Sequence, residues 1–298
     1  MKVNIWASVC ISAILSVTYG AHAQTVQYQD LMDDQSREQL AEYDLEVRGL
    51  QANKQVKSTF VFPADANDAV YGVDVSHHNG TVTWPTLAKS GVKFAYIKAS
   101  QGAVYRDRTF SAHWSASRSA GIRHGAYHFL SAGVDGQAQA GNFLGYLKSV
   151  GGLKKDDLVP VLDMEWDVGT CADGSKTADR WDCPENKGKA GDVAAAWVEA
   201  VKQFTGKTPV IYTAKSWWDV HVGKDKRLQD VGIWIVDVNL QQDRKKDPVS
   251  VAKHPVRAWQ FTSIATVEKQ GFDANKLLDA DFSNISFEQD VPVWPDAN

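Results

Sequence analysis

Two acidic residues, Asp163 and Glu165, stand at the end of the short apolar run 159–162. If this run is a β-strand, alternate side chains point to the same face, and the two Cα atoms lie roughly 6–7 Å apart. Two carboxyl groups this close cannot both ionise freely, because each raises the free-energy cost of charging the other. A protonated acid beside an ionised partner is what the cleavage of a glycosidic bond requires. A strand that merely ends in two solvated acids fits the motif equally well, so the rest of the chain must decide.

Eight runs of apolar, β-branched or aromatic residues predict the strands that would position these acids. They lie at 71–75, 93–98, 122–130, 158–163, 208–213, 231–236, 256–261 and near 277–282. Helical patterns separate several of them, at 108–120 before Gly121, at 143–150 with Asp135 as a candidate cap, and at 193–204 between Asp192 and Gly206. Strands alternating with helices predict an α/β fold whose parallel sheet closes into a barrel. The chemistry of such barrels lies at the carboxyl ends of the strands, where both acids stand.

Polar or aromatic residues also occur where the other predicted strands end. Asp74 belongs to the first strand and precedes the polar loop 76–80. Because the carboxyl ends of parallel strands meet at one rim of a barrel, groups of this kind would surround the two acids. The further rim candidates are Lys98, Tyr127, Tyr212, Trp234, Trp259 and Gln260.

The first 68 residues differ in composition from the predicted barrel. Residues 1–23 combine Lys2, an apolar segment at 5–17 and an Ala-His-Ala sequence before Gln24, which is the pattern of a cleaved signal peptide. Residues 24–68 are acidic and polar, and they predict an N-terminal extension and linker, which leaves 69–298 as the barrel domain. The apolar segment is too short to span a bilayer. We therefore expect an exported protein, periplasmic or secreted, without a membrane span.

Charge and cysteine content narrow the function further. The formal net charge is −4, which argues against a nucleic-acid partner. Cys10 falls within the predicted signal peptide, whereas Cys171 and Cys183 share one polar segment. In an oxidising compartment we expect these two to form a disulfide, worth on the order of 3 kcal/mol in the chain-entropy model. Two free thiols or a metal pair are the alternatives, although no further cysteine is present to complete a metal site.

Six short motifs follow one another along most of the chain. They are Asp-Val-Ser-His at 74–77, Tyr-Ile-Lys-Ala-Ser-Gln-Gly at 96–102, Gly-Ala-Tyr-His-Phe at 125–129, Pro-Val-Leu-Asp-Met-Glu at 160–165, Pro-Val-Ile-Tyr-Thr at 209–213 and Trp-Gln at 259–260. In this order they resemble glycoside hydrolase family 25, the Chalaropsis-type lysozymes. The resemblance implies an irregular (β/α) barrel of about eight strands, similar to a TIM barrel. It also implies hydrolysis of the β-1,4 bond between N-acetylmuramic acid and N-acetylglucosamine in peptidoglycan.

The resemblance also implies roles for individual residues. Glu165 corresponds to the general acid, Asp74 and Asp163 to further active-site acids, and Asp281, or alternatively Asp279, to the last family aspartate. The implied reaction is retaining, with the N-acetyl group of the substrate as nucleophile and Asp163 orienting it. We expect no cofactor or metal, peptidoglycan glycan strands as the partner, and a monomer. Candidates for contact with the sugars are Tyr127, Tyr212, Trp234 and Trp259 through their rings and Lys98 and Gln260 through polar atoms.

The chain departs from the family pattern in an insert at residues 167–190, which carries both cysteines of the predicted disulfide. Other functions stay open at this point. His124 and His128 share one face of a predicted strand and could hold a metal beside Asp163, as in polysaccharide deacetylases. A non-catalytic protein that binds cell-wall glycan would need the same groove. Family 18 chitinases share the Asp-x-Glu strand but carry another Asp where this chain has Val161, which disfavours chitin as the substrate.

Overall fold

The computed structural model describes residues 70–237, 248–251, 253–267 and 270–277. The predicted signal peptide, the extension at 24–68, Asp279 and Asp281 lie outside the described residues. Among the described residues, no helix is both long enough and apolar enough to cross a bilayer.

Short strands and helices alternate through most of the described chain. The strands are β1 (Val70–Val75), β2 (Phe94–Gln101), β3 (Tyr105–Arg106), β4 (Arg123–Phe129), β5 (Val161–Met164), β6 (Gly169–Thr170), β7 (Lys176–Thr177), β8 (Val210–Ala214), β9 (Gly232–Val236), β10 (Val256–Val267) and β11 (Gln270–Leu277). The α-helices are α1 (Trp84–Lys89), α2 (Phe110–Ser119), α3 (Gly136–Ser149), α4 (Ala190–Thr205) and α5 (Lys215–His221). Short 3-10 helices lie at His77–Asn79, Arg180–Asp182 and Lys226–Leu228.

One sheet closes on itself to form the barrel. Its strand order is β1-β11-β10-β9-β8-β5-β4-β2-β3, and an additional pairing of β1 with β2 joins the two sides. The pairs from β1–β2 through β4, β5, β8 and β9 to β10 are parallel, whereas β11 runs antiparallel to both β10 and β1. The predicted irregular α/β barrel is therefore confirmed, and the antiparallel strand is what makes it irregular.

The last described strand begins earlier than the strand that the sequence predicts near 277–282. It is β11, which spans Gln270–Leu277, and residues 278–282 lie outside the described part of the chain. Strand β10 continues to Val267, and Val267 pairs with Gln270 in a hairpin. A hairpin of this kind needs only a two-residue connection, whereas the parallel crossovers of the earlier strands need a dozen residues or more.

The strands separate two apolar layers. One face packs against the helices, and the other forms a smaller cluster inside the barrel, made of Phe94, Tyr96, Leu158, Val159, Val161, Val210, Trp234 and Ala258. Successive strand residues alternate between these layers, as the pleat requires. The interior is tightly filled, because a Cβ placed on Gly125 would lie 2.3 Å from the ring of Tyr96. A glycine is therefore needed where that ring crosses β4.

The helix boundaries follow the predicted signals closely. The side chain of Asp135 accepts a hydrogen bond from the Ala138 N–H at 3.0 Å and caps α3, as predicted. Helix α4 ends at Gly206, which has the left-handed φ of 69°. It begins earlier than predicted, at Ala190, so that Asp192 lies in its first turn rather than at its cap. A carboxylate there interacts favourably with the positive end of the helix dipole.

Candidate active site

Strands β1 and β5 bring two of the predicted acids to the carboxyl end of the barrel. Asp163 lies next to last in β5, in register with Phe129 of β4 and Tyr212 of β8, and it is 7% exposed. Asp74 lies next to last in β1, in register with Tyr96 of β2. Asp163 is two residues from Val161, a member of the inner apolar cluster, so its side chain faces the barrel interior. Asp74 faces the interior as well, because its register partner Tyr96 belongs to the same cluster.

Glu165 is positioned differently from Asp163. The sequence motif treats both acids as strand residues, but β5 ends at Met164 and Glu165 lies in the bend that follows. Its side chain is half-buried, whereas that of Asp163 is buried. Glu165 therefore lies just outside the β5 ladder, whereas Asp163 lies within it.

A chain of hydrogen bonds crosses the rim from β8 to β1. The Tyr212 hydroxyl donates to the Oε1 atom of Gln260 at 2.8 Å. The Nε2 atom of Gln260 donates in turn to the Oδ2 atom of Asp74 at 3.0 Å. Gln260 is only 6% exposed, so its amide spans the interior and orients the Asp74 carboxylate.

Lys98 contributes a buried positive charge near the same rim. Its ammonium donates to the Oε1 atom of Gln101 at 3.1 Å and lies 5.2 Å from the centre of the Phe129 ring. The residue is 6% exposed. A buried ammonium needs hydrogen-bonding and aromatic partners of this kind, because leaving water is costly for a charge. Lys98 therefore offers a cation to the carboxylate-rich end of the barrel.

The aromatic candidates lie at different depths. Tyr127 and Tyr212 are half-buried and border the inner cluster. Trp234 lies deeper, 2% exposed, with its ring centre 5.0 Å from that of Tyr96 and 5.1 Å from that of Tyr212. It therefore lies inside the barrel, below the rim. The rim tyrosines are therefore the more accessible of these rings.

Trp259 does not join this group. It belongs to the layer between sheet and helices, is 0% exposed, and its indole N–H donates to the backbone oxygen of Asp237 at 2.9 Å. Its neighbour Gln260 faces the barrel because successive strand residues point to opposite sides. The structure thus separates the two residues of the Trp-Gln motif.

A sequence model of glycosyl hydrolases family 25 matches residues 73–269. The chain belongs to this family. The matched segment begins next to Asp74 and includes the parallel strands, both acids of the 163–165 motif and the insert. The predicted resemblance is therefore confirmed over about two thirds of the sequence.

Named members of family 25 are similar to this chain in sequence and in structure. Lysozyme M1 of Streptomyces globisporus is 36% identical over 165 residues, which are 54% of this chain and 51% of that protein. The N,O-diacetylmuramidase of Chalaropsis sp is 29% identical over 164 residues, 52% of this chain and 70% of that protein. The crystal structure of the bacterial lysozyme from Streptomyces coelicolor superposes with a TM-score of 0.60 at 27% identity and covers 74% of this chain and 98% of that one. The chain spans about half the length of lysozyme M1.

The histidine pair that suggested a metal-dependent deacetylase does not form a metal site with Asp163 in this family 25 barrel. His124 lies on the helix side of the sheet, where its ring stacks on Trp114 and contacts the Asp157 carboxylate at 3.2 Å. His128 lies there too, with its ring nitrogens bonded to Ser100 and Gln139. That alternative is not favoured, because residues 124 and 128 share the outer face of β4, whereas Asp163 faces inward.

Two other groups of potential metal ligands occur in the described part of the chain. Cys171, Cys183 and Glu185 form one group, but the two cysteines are joined by a disulfide, as predicted. Asp179, Asp182 and His221 form the other. The Asp179 carboxylate in that group already accepts hydrogen bonds from protein N–H groups on both oxygens, so its lone pairs are engaged.

Sequence reasoning missed an acid on the last strand. Asp273 lies in β11 and is the backbone partner of Asp74 in the antiparallel β1–β11 pair. The expected late acid, Asp281, lies outside the described residues. The hairpin could have been recognised by treating 256–277 as two adjoining strands, because 270–277 directly follows the apolar stretch of β10.

Sequence reasoning also missed the group that fixes the loop after β1. The buried His77 ring and backbone N–H both contact the Oδ2 atom of Asp107, at 2.9 and 3.0 Å. Burial opposes ionisation of Asp107, but hydrogen bonds from Thr109 and His77 outweigh burial and hold the pKa of Asp107 below its usual value. The loop that follows Asp74 is therefore anchored to the start of α2.

Proposed function

We propose that this chain is a muramidase, which hydrolyses the β-1,4 bond between N-acetylmuramic acid and N-acetylglucosamine in peptidoglycan. The observation that carries the proposal is the convergence of Asp74, Asp163 and Glu165 at the carboxyl end of a family 25 barrel. The relatives named lysozyme and N,O-diacetylmuramidase support the same bond and substrate. Barrels of this type carry their chemistry at that end.

In the proposed reaction Glu165 donates a proton to the leaving glycosidic oxygen while the bond from that oxygen to the anomeric carbon breaks. The carbonyl oxygen of the substrate's own N-acetyl group attacks the anomeric carbon, and the buried Asp163 orients this group. Water then opens the cyclic intermediate and returns its proton to Glu165, so that configuration is retained. Asp74 lowers the energy of the positive charge that develops in the transition state.

We propose Asp273, rather than Asp281, as the late acid of the site. Its backbone is in register with Asp74 on the adjacent strand. Asp273→Asn should lower kcat by about 100-fold if this carboxylate stabilises charge or positions water. Asp281→Asn is the matched control and should change kcat by less than about threefold. The reverse ranking of the two variants would restore Asp281.

The glycan is proposed to bind along the rim through Tyr127, Tyr212, Lys98 and Gln260. The half-buried rings offer an apolar face to a sugar, and the polar atoms offer hydrogen bonds. Trp234 would support these rings from below without direct access. Trp259 is left out of the proposal because it is fully buried on the other side of the sheet.

The predicted export belongs to the same proposal. A signal peptide at 1–23 would deliver the enzyme to the periplasm or the medium, where peptidoglycan lies and where the Cys171–Cys183 disulfide persists. We propose that it acts there as a monomer and needs no cofactor. N-terminal sequencing of the exported protein should give Gln24 as its first residue.

The deciding experiment is mass spectrometry of peptidoglycan digested with the mature protein. Fragments that end in reducing N-acetylmuramic acid are expected, and Glu165→Gln should abolish their release while leaving glycan binding intact. Wild-type protein that binds peptidoglycan without releasing reducing ends would instead identify a non-catalytic glycan-binding protein. Fragments that end in reducing N-acetylglucosamine would assign a different bond.

A further inference from the structure

A buried ion pair involves a residue that closely follows the proposed proton donor in the chain. The Nη2 atom of Arg180 lies 2.6 Å from the Oδ2 atom of Asp167, and the two side chains are 3% and 0% exposed. Asp167 is two residues after Glu165, whereas Arg180 belongs to the middle of the insert. A buried pair of this kind adds little net stability, because the loss of hydration offsets the attraction between the charges. The ion pair is therefore more informative about which segments it holds together than about stability.

The ion pair connects the loops that follow three neighbouring strands. The same Oδ2 atom of Asp167 accepts a hydrogen bond at 2.7 Å from the N–H of Ala132, in the loop after β4. The backbone N–H of Arg180 donates to the backbone oxygen of Asp167 at 2.7 Å. The N–H of Asp167 donates to Asp179, whose other carboxylate oxygen accepts from the indole of Trp217 in α5, after β8. The rims of β4, β5 and β8 are thus joined through the insert.

The insert holds this arrangement as a compact unit. The Cys171–Cys183 disulfide and the β6–β7 hairpin close it on the solvent side. Gly169 leaves room for the arginine, because a Cβ there would lie 2.7 Å from the Cδ atom of Arg180. Glu165 lies just past the β5 ladder, and Asp167, two residues further along, is held by these buried contacts.

We propose that Asp167 and Arg180 are positioning residues for Glu165, so that the insert sets the alignment of the proton donor with the glycosidic oxygen. The inference rests on the proposed role of Glu165. A reacting group displaced by about 1 Å loses on the order of 100-fold in rate, whereas substrate binding by the rest of the groove is retained. Loss of Arg180 should therefore reduce kcat and leave KM nearly unchanged.

The test compares two substrates that differ in their need for a proton. A natural glycan tetrasaccharide has a poor leaving group and depends on the general acid, whereas a 2,4-dinitrophenyl glycoside of the same disaccharide leaves without protonation. Arg180→Ala should lower kcat on the natural glycan by about 10- to 100-fold. In the first-turnover release of dinitrophenol the same variant should lose less than about threefold, because departure of this leaving group needs no proton from Glu165.

A second variant and a matched control separate positioning from folding. Gly169→Ala displaces Arg180 without removing its charge and should give the same substrate-dependent loss, even if Arg180→Ala fails to fold. Arg118→Ala removes the partner of Asp157 in a similar pair, 2.9 Å long, which lies before β5 at the opposite end of the strand. This control should lower the melting temperature without changing kcat on either substrate.

The outcomes distinguish this inference from the proposed function. Glu165→Gln sets the benchmark, a large loss on the natural glycan that is rescued in the first-turnover release of dinitrophenol. If the benchmark variant shows no such rescue, the role of Glu165 as proton donor fails, and the inference fails with it. If the benchmark holds but folded Arg180→Ala or Gly169→Ala loses rate equally on both substrates, or not at all, the positioning role alone is overturned.

Discussion

Lowering the pH from 7.5 to 4.5 should destabilise the fold, and the buried imidazole of His128 should contribute a measurable part of this effect. This residue is 0% exposed and lies between β4 and the helices, with its ring stacked 5.7 Å from the ring of Trp197. Burial lowers the pKa of His128 to about 3, Lys98 adds a smaller repulsion, and the hydrogen bond with Gln139 opposes them only in part. The ring is therefore neutral in the folded protein throughout this range.

The sign and the size of the effect follow from the two states. In the unfolded chain the imidazole has a pKa near ~6.5 and binds a proton as the pH falls below that value, whereas the folded chain does not until about pH 3. The unfolded state thus binds more protons, and the free energy of unfolding decreases as the pH falls. At about 1.4 kcal/mol per pH unit, the two units from 6.5 to 4.5 cost about 3 kcal/mol.

Urea unfolding at pH 7.5 and pH 4.5 measures this cost. His128→Gln removes the titrating ring, so its free energy of unfolding should decline between the two pH values by about 3 kcal/mol less than that of the wild type. His78→Gln, at an exposed histidine, controls for the loss of a histidine as such and should keep the wild-type difference. Equal declines in His128→Gln and the wild type would refute the assignment of a suppressed pKa to His128.

Three further predictions concern stability and the site. Replacing Cys171 and Cys183 by serine should lower the free energy of unfolding by about 3 kcal/mol, as measured in urea without reductant, and reductant should erase the difference. Gly125→Ala should cost about 1–3 kcal/mol because its Cβ would overlap an aromatic ring inside the barrel, whereas Gly141→Ala, with open space in helix α3, should not destabilise in the same thermal melt. Gln260→Leu should reduce kcat by about 10-fold by releasing the active-site carboxylate that it holds, and unchanged turnover would refute that role.

The parallel part of the barrel could be predicted because two local signals agree there. Short runs of apolar, β-branched or aromatic residues mark the strands, and caps such as Asp135 and Gly206 mark the helices between them. The same agreement correctly predicts that Asp74 and Asp163 stand near strand ends. The hairpin of β10 and β11 breaks this rhythm, because no helix separates the two strands. The sequence pattern consequently does not reveal that 256–277 forms two adjoining strands.

The sequence predicts which side of the sheet a side chain faces only where the residue types along the strand leave one possibility. Trp259 and Gln260 are adjacent, so only one of them could face the groove, and residue type alone favoured both. The structure shows which one does: Gln260 is hydrogen-bonded to Asp74 inside the barrel, and Trp259 packs between the sheet and the helices. Likewise, the spacing of the two histidines on β4 correctly placed them on one face without revealing that this face meets the helices. Which face is inside is decided by strand neighbours distant in sequence.

The two acids of the 163–165 motif differ in how they are held, and this difference matches the two roles proposed for them. Asp163 is fixed by ladder partners on both sides, which suits a carboxylate that must orient a substrate group and not move. Glu165 lies just past the end of β5, in the bend that follows. A proton donor must be held rigidly if it is to meet a single oxygen atom. The buried contacts of Asp167 with Arg180 and Ala132 supply that rigidity, which explains why an insert closed by a disulfide follows this strand directly.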